Sequence, residues 1–396
     1  VGFNGCTDIP TPNIDSIAYN GAHIVNGYVS FPVCGPSRAG FMTGRYQDRF
    51  GFTTNPTIDP TNDIAGLPLD EKTLAEVLYN EGYKSAIVGK WHLGTHPNFH
   101  PLNRGFDYFY GFLSGGHNYF MNQLTVENLE NVKSKWAWYR TKLRENHKTL
   151  EFEDYKTDYL TDELSEAALR FIDKQAENDQ SFFLFLSYNA PHTPMHATEK
   201  YLSRFPEIQD RKRKTYAAMV SAVDDGIGLV LETLKKNVLI ENTIIVFLSD
   251  NGGAHNNASQ NTPLRGTKGS VYEGGLRVPF AIQWKGVIPV NTKYEESVSS
   301  LDIMASMVDI LDIKSNRKKP LDGVNIIPYL TGEKQGAPHD YLFWRKWEQN
   351  AMAVIHGDHK LLKSNKISES EIYNLNLDVS ESKNIKGSNV VLEKQL

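Results

Sequence analysis

Ser181-Phe182-Phe183-Leu184-Phe185-Leu186-Ser187-Tyr188 is an unbroken, largely apolar run of strand length. A run of that kind predicts a strand covered on both faces, as in a parallel sheet. Helical patterns flank it. Thr157 to Ala176 carries Leu160, Leu164, Ala167, Ala168 and Phe171 at helical spacing, and Thr215 to Lys236 predicts a second long helix. Further buried strands are predicted at Thr243 to Leu248 and Val278 to Gln283, and a helix at Asp302 to Leu311. Upstream, Leu69 to Glu81 reads as an amphipathic helix closed by Gly82, and Tyr83 to Gly89 as a short strand. Helices alternating with apolar strands predict an α/β sandwich around a mostly parallel sheet.

After Pro338 the texture changes. Tyr341 to Trp344, Ala351 to Ile355 and Lys360 to Leu362 read as short antiparallel strands. The predicted division is an α/β domain over residues 1–337 and a small C-terminal subdomain with an antiparallel sheet over 338–396. Gly115 to Tyr155 lacks periodicity and reads as an insertion bearing Trp136, Trp138 and Tyr139.

The chain has 396 residues, with 42 Lys and Arg against 47 Asp and Glu, a formal charge of −5. That balance argues against a broad nucleic-acid surface; an anionic substrate would meet a local cluster of cations. No apolar run is long enough to span a membrane. The two cysteines, Cys6 and Cys34, form no disulfide framework.

Cys34 opens the second informative stretch, Cys34-Gly35-Pro36-Ser37-Arg38-Ala39-Gly40-Phe41-Met42-Thr43-Gly44-Arg45. Pro36 suits a first helical turn. Cys34 is then at a helix N-terminus with Arg38 one turn on, the setting of an activated thiol. Four other motifs fall where strands end, the usual place for active-site residues in α/β sheets. Lys90 and His92 share a face in extended chain and suit an anionic substrate and proton transfer. His192 lies in Ala190-Pro191-His192-Thr193-Pro194, with His196 as its competitor. Asp250 and Asn251 offer oxygens that suit a hard cation. Lys268 lies in a glycine-rich loop that lets backbone approach a ligand closely. Taken singly, each has an ordinary reading: a buried thiol, a solvated lysine, a rigid turn, an Asp-Asn-Gly turn.

Together, Cys-x-Pro-Ser-Arg followed by Met-Thr-Gly-Arg resembles the signature of the formylglycine-dependent type I sulfatases, members of the alkaline-phosphatase superfamily. The resemblance covers nearly the whole chain. It implies an alkaline-phosphatase-like fold and a Cys34 oxidised to formylglycine by a formylglycine-generating enzyme. The hydrated aldehyde, a gem-diol, would attack the sulfur of a sulfate monoester. The resemblance assigns Ca²⁺ to Asp250, Asn251 and residue 34, and has Arg38 hold the hydrated aldehyde. It gives the sulfate to Lys90 and Lys268, the leaving-group proton to His192 and the remaining hydroxyl proton to His92, and leaves Arg277 structural.

The family carries two adjacent metal-binding aspartates on its first strand. This sequence begins at Val1 without them, so a missing first strand is expected. The expected substrate is a sulfated polysaccharide or oligosaccharide, an algal galactan such as carrageenan or a glycosaminoglycan, as in bacterial relatives. Arg104, His117 and His255 are candidate pocket residues by position, and Trp136, Trp138 and Tyr139 are candidates to stack on sugar rings. The expected location is periplasmic or secreted. Two rival readings are a phosphoester or phosphonate hydrolase of the same superfamily and an inactive glycan-binding homologue.

Overall fold

The computed structural model describes residues 1–134, 136–313, 319–365 and 367–396. The chain divides into two compact units. The first comprises Val1–Ile17, Pro56–Ile244 and Trp284–Gly286; the second comprises Ala18–Asn55, Ile245–Gln283 and Val287–Leu396.

The first unit is built on a five-stranded sheet in the order Lys148–Thr149, Arg144–Glu145, Tyr108–Phe112, Lys84–Lys90, Phe182–Ser187. Its last three strands run parallel; Arg144–Glu145 pairs antiparallel to Tyr108–Phe112 and to Lys148–Thr149, forming a short hairpin from the predicted insertion. The helices Leu160–Glu177 and Arg211–Lys236 bury their apolar stripes, with Leu160, Leu164, Ala167, Ala217, Ala218 and Ala222 in one core with Val88, Tyr110 and Phe112. The second helix starts at Asp210, whose side chain accepts the Arg213 N–H, four residues ahead of the apolar pattern. The helix predicted from Leu69 is Leu74–Tyr79, delayed to Thr73 by a reciprocal Thr73–Glu76 cap.

The second unit carries a four-stranded sheet in the order Thr292–Tyr294, Ala22–Ile24, Phe280–Trp284, Ile244–Leu248. It also holds the helices Cys34–Thr43 and Asp302–Ile310. The predicted C-terminal antiparallel sheet is present as Leu342–Lys346, Ala351–His356, His359–Lys363 and Glu371–Asn374, a simple meander. Tyr28, Leu276, Trp344, Ala353, Ile355 and Leu362 form one core under it.

One expectation needs correcting. The apolar runs Phe182–Ser187 and Ile244–Leu248 predicted burial on both faces, yet Phe182–Leu186 and Ile244–Leu248 are only half-buried. Each is the terminal strand of its sheet, so a neighbouring strand covers only one flank.

Candidate active site

In the second unit, five predicted residues converge. Cys34 is the first residue of its helix, behind an extended Val33. The Gly35 N–H in that first turn donates to Asn55 Oδ1 at 2.9 Å. Cys34 is buried, 2 % exposed. Its Sγ is 3.2 Å from Asn251 Oδ1 and receives the Lys268 Nζ donor at 2.8 Å. One turn along the helix, Arg38 Nε donates to Asp250 Oδ2 at 2.9 Å. Asp250 and Asn251 come directly off the end of the strand Ile244–Leu248, after Ser249. The Lys268 loop is locked to theirs through backbone bonds, Lys268 N–H to Gly253 O and Gly252 N–H to Gly275 O. Burial pulls the Lys268 ammonium down, but the Cys34 sulfur and Asp250 outweigh it, so its pKa is raised and the group is charged at neutral pH.

In the first unit, two histidines sit at the ends of neighbouring parallel strands. Lys90 closes the strand Lys84–Lys90 and is 2 % exposed. His92 follows in a left-handed conformation, φ 62, rare for a non-glycine residue, and is buried. Its N–H bonds Leu113 O. His192 comes after the next strand. Its Nδ1 is 2.7 Å from Thr193 O, and its carbonyl accepts from Tyr119 Oη at 2.8 Å. His196, its competitor, stacks on Phe120 instead.

The feature that motif reading missed is Gly115-Gly116. A Cβ on Gly115 would lie 2.5 Å from His92 Nε2, and one on Gly116 would lie 3.0 Å from His192 Nδ1. Both imidazoles therefore pack against bare backbone. The signal was present as a glycine pair just past the strand Tyr108–Phe112. Gly115→Ala should displace the His92 ring, and with His92 in the role that the family resemblance gives it, a displacement near 1 Å is expected to lower kcat about 100-fold. Steady-state kinetics beside a thermal melt checks this, since the melting temperature should move little by comparison.

Two candidate pocket residues are corrected. Arg104 is 1 % exposed, and its guanidinium donates to the carbonyls of Leu67 and Glu71. His117 is fully buried, with its ring nitrogens 3.0 Å from Asn118 O and 2.7 Å from Thr141 O. Burial pushes His117 down to about 4, so the ring is neutral and serves as a loop anchor. His117 binds its own backbone; Arg104 binds backbone carbonyls and lies 3.7 Å from the Glu76 carboxylate, and both are buried. His255 is exposed, four residues beyond Asn251.

The chain matches the family model described as Sulfatase over residues 1–313, and a second model, N-sulphoglucosamine sulphohydrolase C-terminal, over 267–395. It belongs to the sulfatase family. It is 35% identical over 360 residues to the uncharacterized sulfatase YdeN of Escherichia coli, covering 84% of this chain and 59% of that protein. It is 31% identical over 401 residues to human N-acetylgalactosamine-6-sulfatase, covering 98% of this chain and 73% of that protein. The crystal structure of Ps i-CgsB in complex with k-i-k-neocarrahexaose superposes with a TM-score of 0.91 at 38% identity, covering 100% and 87% of the two chains. The fold is that of the alkaline-phosphatase-like sulfatases. Likeness to a phosphonate monoester hydrolase from Agrobacterium radiobacter, at a TM-score of 0.70 and 18% identity, is one of fold alone.

Calcium takes six to eight oxygen ligands. Asp250 and Asn251 present donors of the right kind beside Cys34. Among the described residues no three or more His, Cys, Asp or Glu gather into a cage. The Asp250 and Asn251 oxygens are donors of the kind that calcium takes. No helix among the described residues is long and apolar enough to cross a membrane.

Proposed function

We propose that this protein hydrolyses sulfate monoesters on a sulfated polysaccharide or oligosaccharide, with Cys34 converted to formylglycine. The observation that carries the reading is the buried Cys34 Sγ at the head of its helix, 2.8 Å from Lys268 Nζ and 3.2 Å from Asn251 Oδ1. A thiol in so polar and cationic a niche is poorly explained as core filler.

Hydrated formylglycine at position 34 would supply an oxygen nucleophile for sulfur, and calcium, which Asp250, Asn251 and residue 34 would hold, would supply counter-charge for the sulfate. The chain's own groups do the rest. Lys268 and Lys90 neutralise sulfate oxygens as charge builds. Arg38, fixed by Asp250, steadies residue 34 from one helical turn away. The Nδ1 of His192 bonds Thr193 O, and Nε2 is the atom assigned to deliver a proton to the departing alcohol. His92 would accept the remaining hydroxyl proton as the bond from residue 34 to the sulfate oxygen breaks, so that the carbonyl re-forms and sulfate leaves. Maturation calls for a formylglycine-generating enzyme.

The likeness to a protein crystallised with a neocarrahexaose supports a carrageenan-type galactan sulfate as the first substrate to try. The N-acetylgalactosamine-6-sulfatase relatives support amino-sugar sulfates as the second. A periplasmic or secreted location goes with that substrate class as part of the same proposal.

The test is the intact mass of the Cys34 peptide from protein made in its natural host, paired with rates on matched sulfate and phosphate esters. A formylglycine mass and faster sulfate release are expected. An unmodified thiol with no sulfate release would defeat the reading, and faster phosphate release would reassign it to phosphoester hydrolysis.

A further inference from the structure

The segment Lys133-Ser134-Lys135-Trp136-Ala137-Trp138-Tyr139-Arg140-Thr141-Lys142 holds three aromatic and four basic residues and no acidic one, in a chain whose formal charge is −5. Trp138 and Tyr139 stack with ring centroids 4.0 Å apart and planes 20° from parallel. Trp136 is 6.0 Å from Tyr139 at 35° and 6.4 Å from Trp138 at 37°. Trp138 and Tyr139 form a stacked pair, and the Trp136 ring lies tilted beside both; we call this aromatic cluster the shelf. Trp136 is 62% exposed, whereas Ala137 beside it is buried and roots the turn.

The shelf is rigidly mounted. The Asn118 N–H donates to Tyr139 O at 2.8 Å and the Val126 N–H to Arg140 O at 2.9 Å. Thr141 Oγ1 donates to Trp138 O at 3.1 Å, and the neutral His117 ring sits 2.7 Å from Thr141 O. Its inner edge adjoins His192: a Cβ on Gly116 would be 2.8 Å from Tyr139 Cε1 and 3.0 Å from His192 Nδ1. The residue proposed to protonate the leaving sugar oxygen and the aromatic shelf thus share one glycine.

We infer that Trp136, Trp138 and Tyr139 form a binding subsite for a pyranose ring of a sulfated oligosaccharide. This rests on the sulfatase reading and extends it from the scissile group to the sugar chain. A pyranose presents an apolar face of C–H groups that suits a flat indole, and its rim hydroxyls stay in water. The exposed Arg140 at the end of the turn supplies positive charge for a sulfate on that ring. Lys142 is held by Glu127 and Glu151, so Arg140 is the cation of this turn that favours an anionic glycan over a neutral one.

The test uses the full chain. In the Cys34→Ala background, calorimetry measures binding of carrageenan and chondroitin sulfate hexasaccharides, with desulfated hexasaccharides as controls. At least one sulfated probe is expected to bind more tightly than its desulfated form. Trp136→Ala should weaken that binding about tenfold, and Trp136→Phe should restore most of it. With Cys34 present, Trp136→Ala should raise KM on the hexasaccharide, and the ratio of kcat/KM on it to that on 4-nitrophenyl sulfate should fall about tenfold. Trp136 is exposed, so the fold should survive, checked by near-ultraviolet circular dichroism. Absent binding of every probe, an unchanged Kd for Trp136→Ala, or equal losses on both substrates would overturn the subsite. If the unaltered protein releases no sulfate from any ester, the sulfatase reading fails, while the calorimetry still decides the shelf.

Discussion

Cys34→Ala is expected to abolish sulfate release, with a loss on the order of 10⁶ in kcat, the scale seen when a nucleophile is removed. Binding of the sulfated sugar should largely persist, because the cations that meet the sulfate remain. Residue 34 is enclosed and specifically partnered, with Lys268 at 2.8 Å and Asn251 at 3.2 Å. A nucleophile from elsewhere would have to occupy that niche. The measurement is sulfate release by ion chromatography over a long incubation, alongside calorimetric binding. Turnover within tenfold of the parent would remove residue 34 from the chemistry. Loss of binding together with turnover would mean that the side chain holds the site's shape.

The same substitution also tests the local electrostatics. Lys268 is raised because the Cys34 sulfur and Asp250 together outweigh its burial, with Arg38 opposing them. In protein whose Cys34 is still a thiol, the substitution removes one of the groups that raise Lys268, so the Lys268 pKa should fall from its raised position.

Much of this was legible locally. The helix Cys34–Thr43, the Lys90 and His92 pair and the Asp250 and Asn251 turn each lie within a few residues of a strand or helix end, where spacing and backbone type can be read directly. The long helices were legible for a related reason: Leu160, Leu164, Ala167 and Phe171 lie on one stripe, and that stripe is buried. Sequence failed where a polar residue serves the interior. Arg104 and His117 carry functional chemistry, but their partners are backbone carbonyls, which leave no mark in composition. It also failed on Phe182–Leu186, because an apolar run cannot distinguish a central strand from a terminal one.

The hardest feature to see in sequence predicts the largest loss of stability. Lys360 is fully buried, with Nζ 2.8 Å from Glu273 Oε1 and 2.9 Å from Glu381 Oε1, and both carboxylates are fully buried too. Tyr28 Oη donates to Glu273 Oε2 at 2.8 Å, and the Glu273 N–H donates to Glu381 Oε2 at 2.7 Å. The triad fastens the C-terminal sheet to the short helix Glu273–Leu276, five residues past Lys268. Lys360→Met leaves two carboxylates facing each other without a cation, which should cost about 3–5 kcal/mol. The triad also predicts a pH dependence. Burial first, then the neighbouring Glu273 charge, hold Glu381 up to about 7 against the opposing pull of Lys360. The folded state therefore binds a proton that the unfolded chain releases near the ordinary glutamate value, about 4.5. Stability should fall as pH rises between these two values. Glu381→Gln removes that titration and should flatten this part of the profile. Denaturant unfolding from pH 4.5 to 8 distinguishes the outcomes. An unchanged slope in the Gln variant would show that Glu381 is held ionised across the whole range, as a simple ion pair with Lys360 would require.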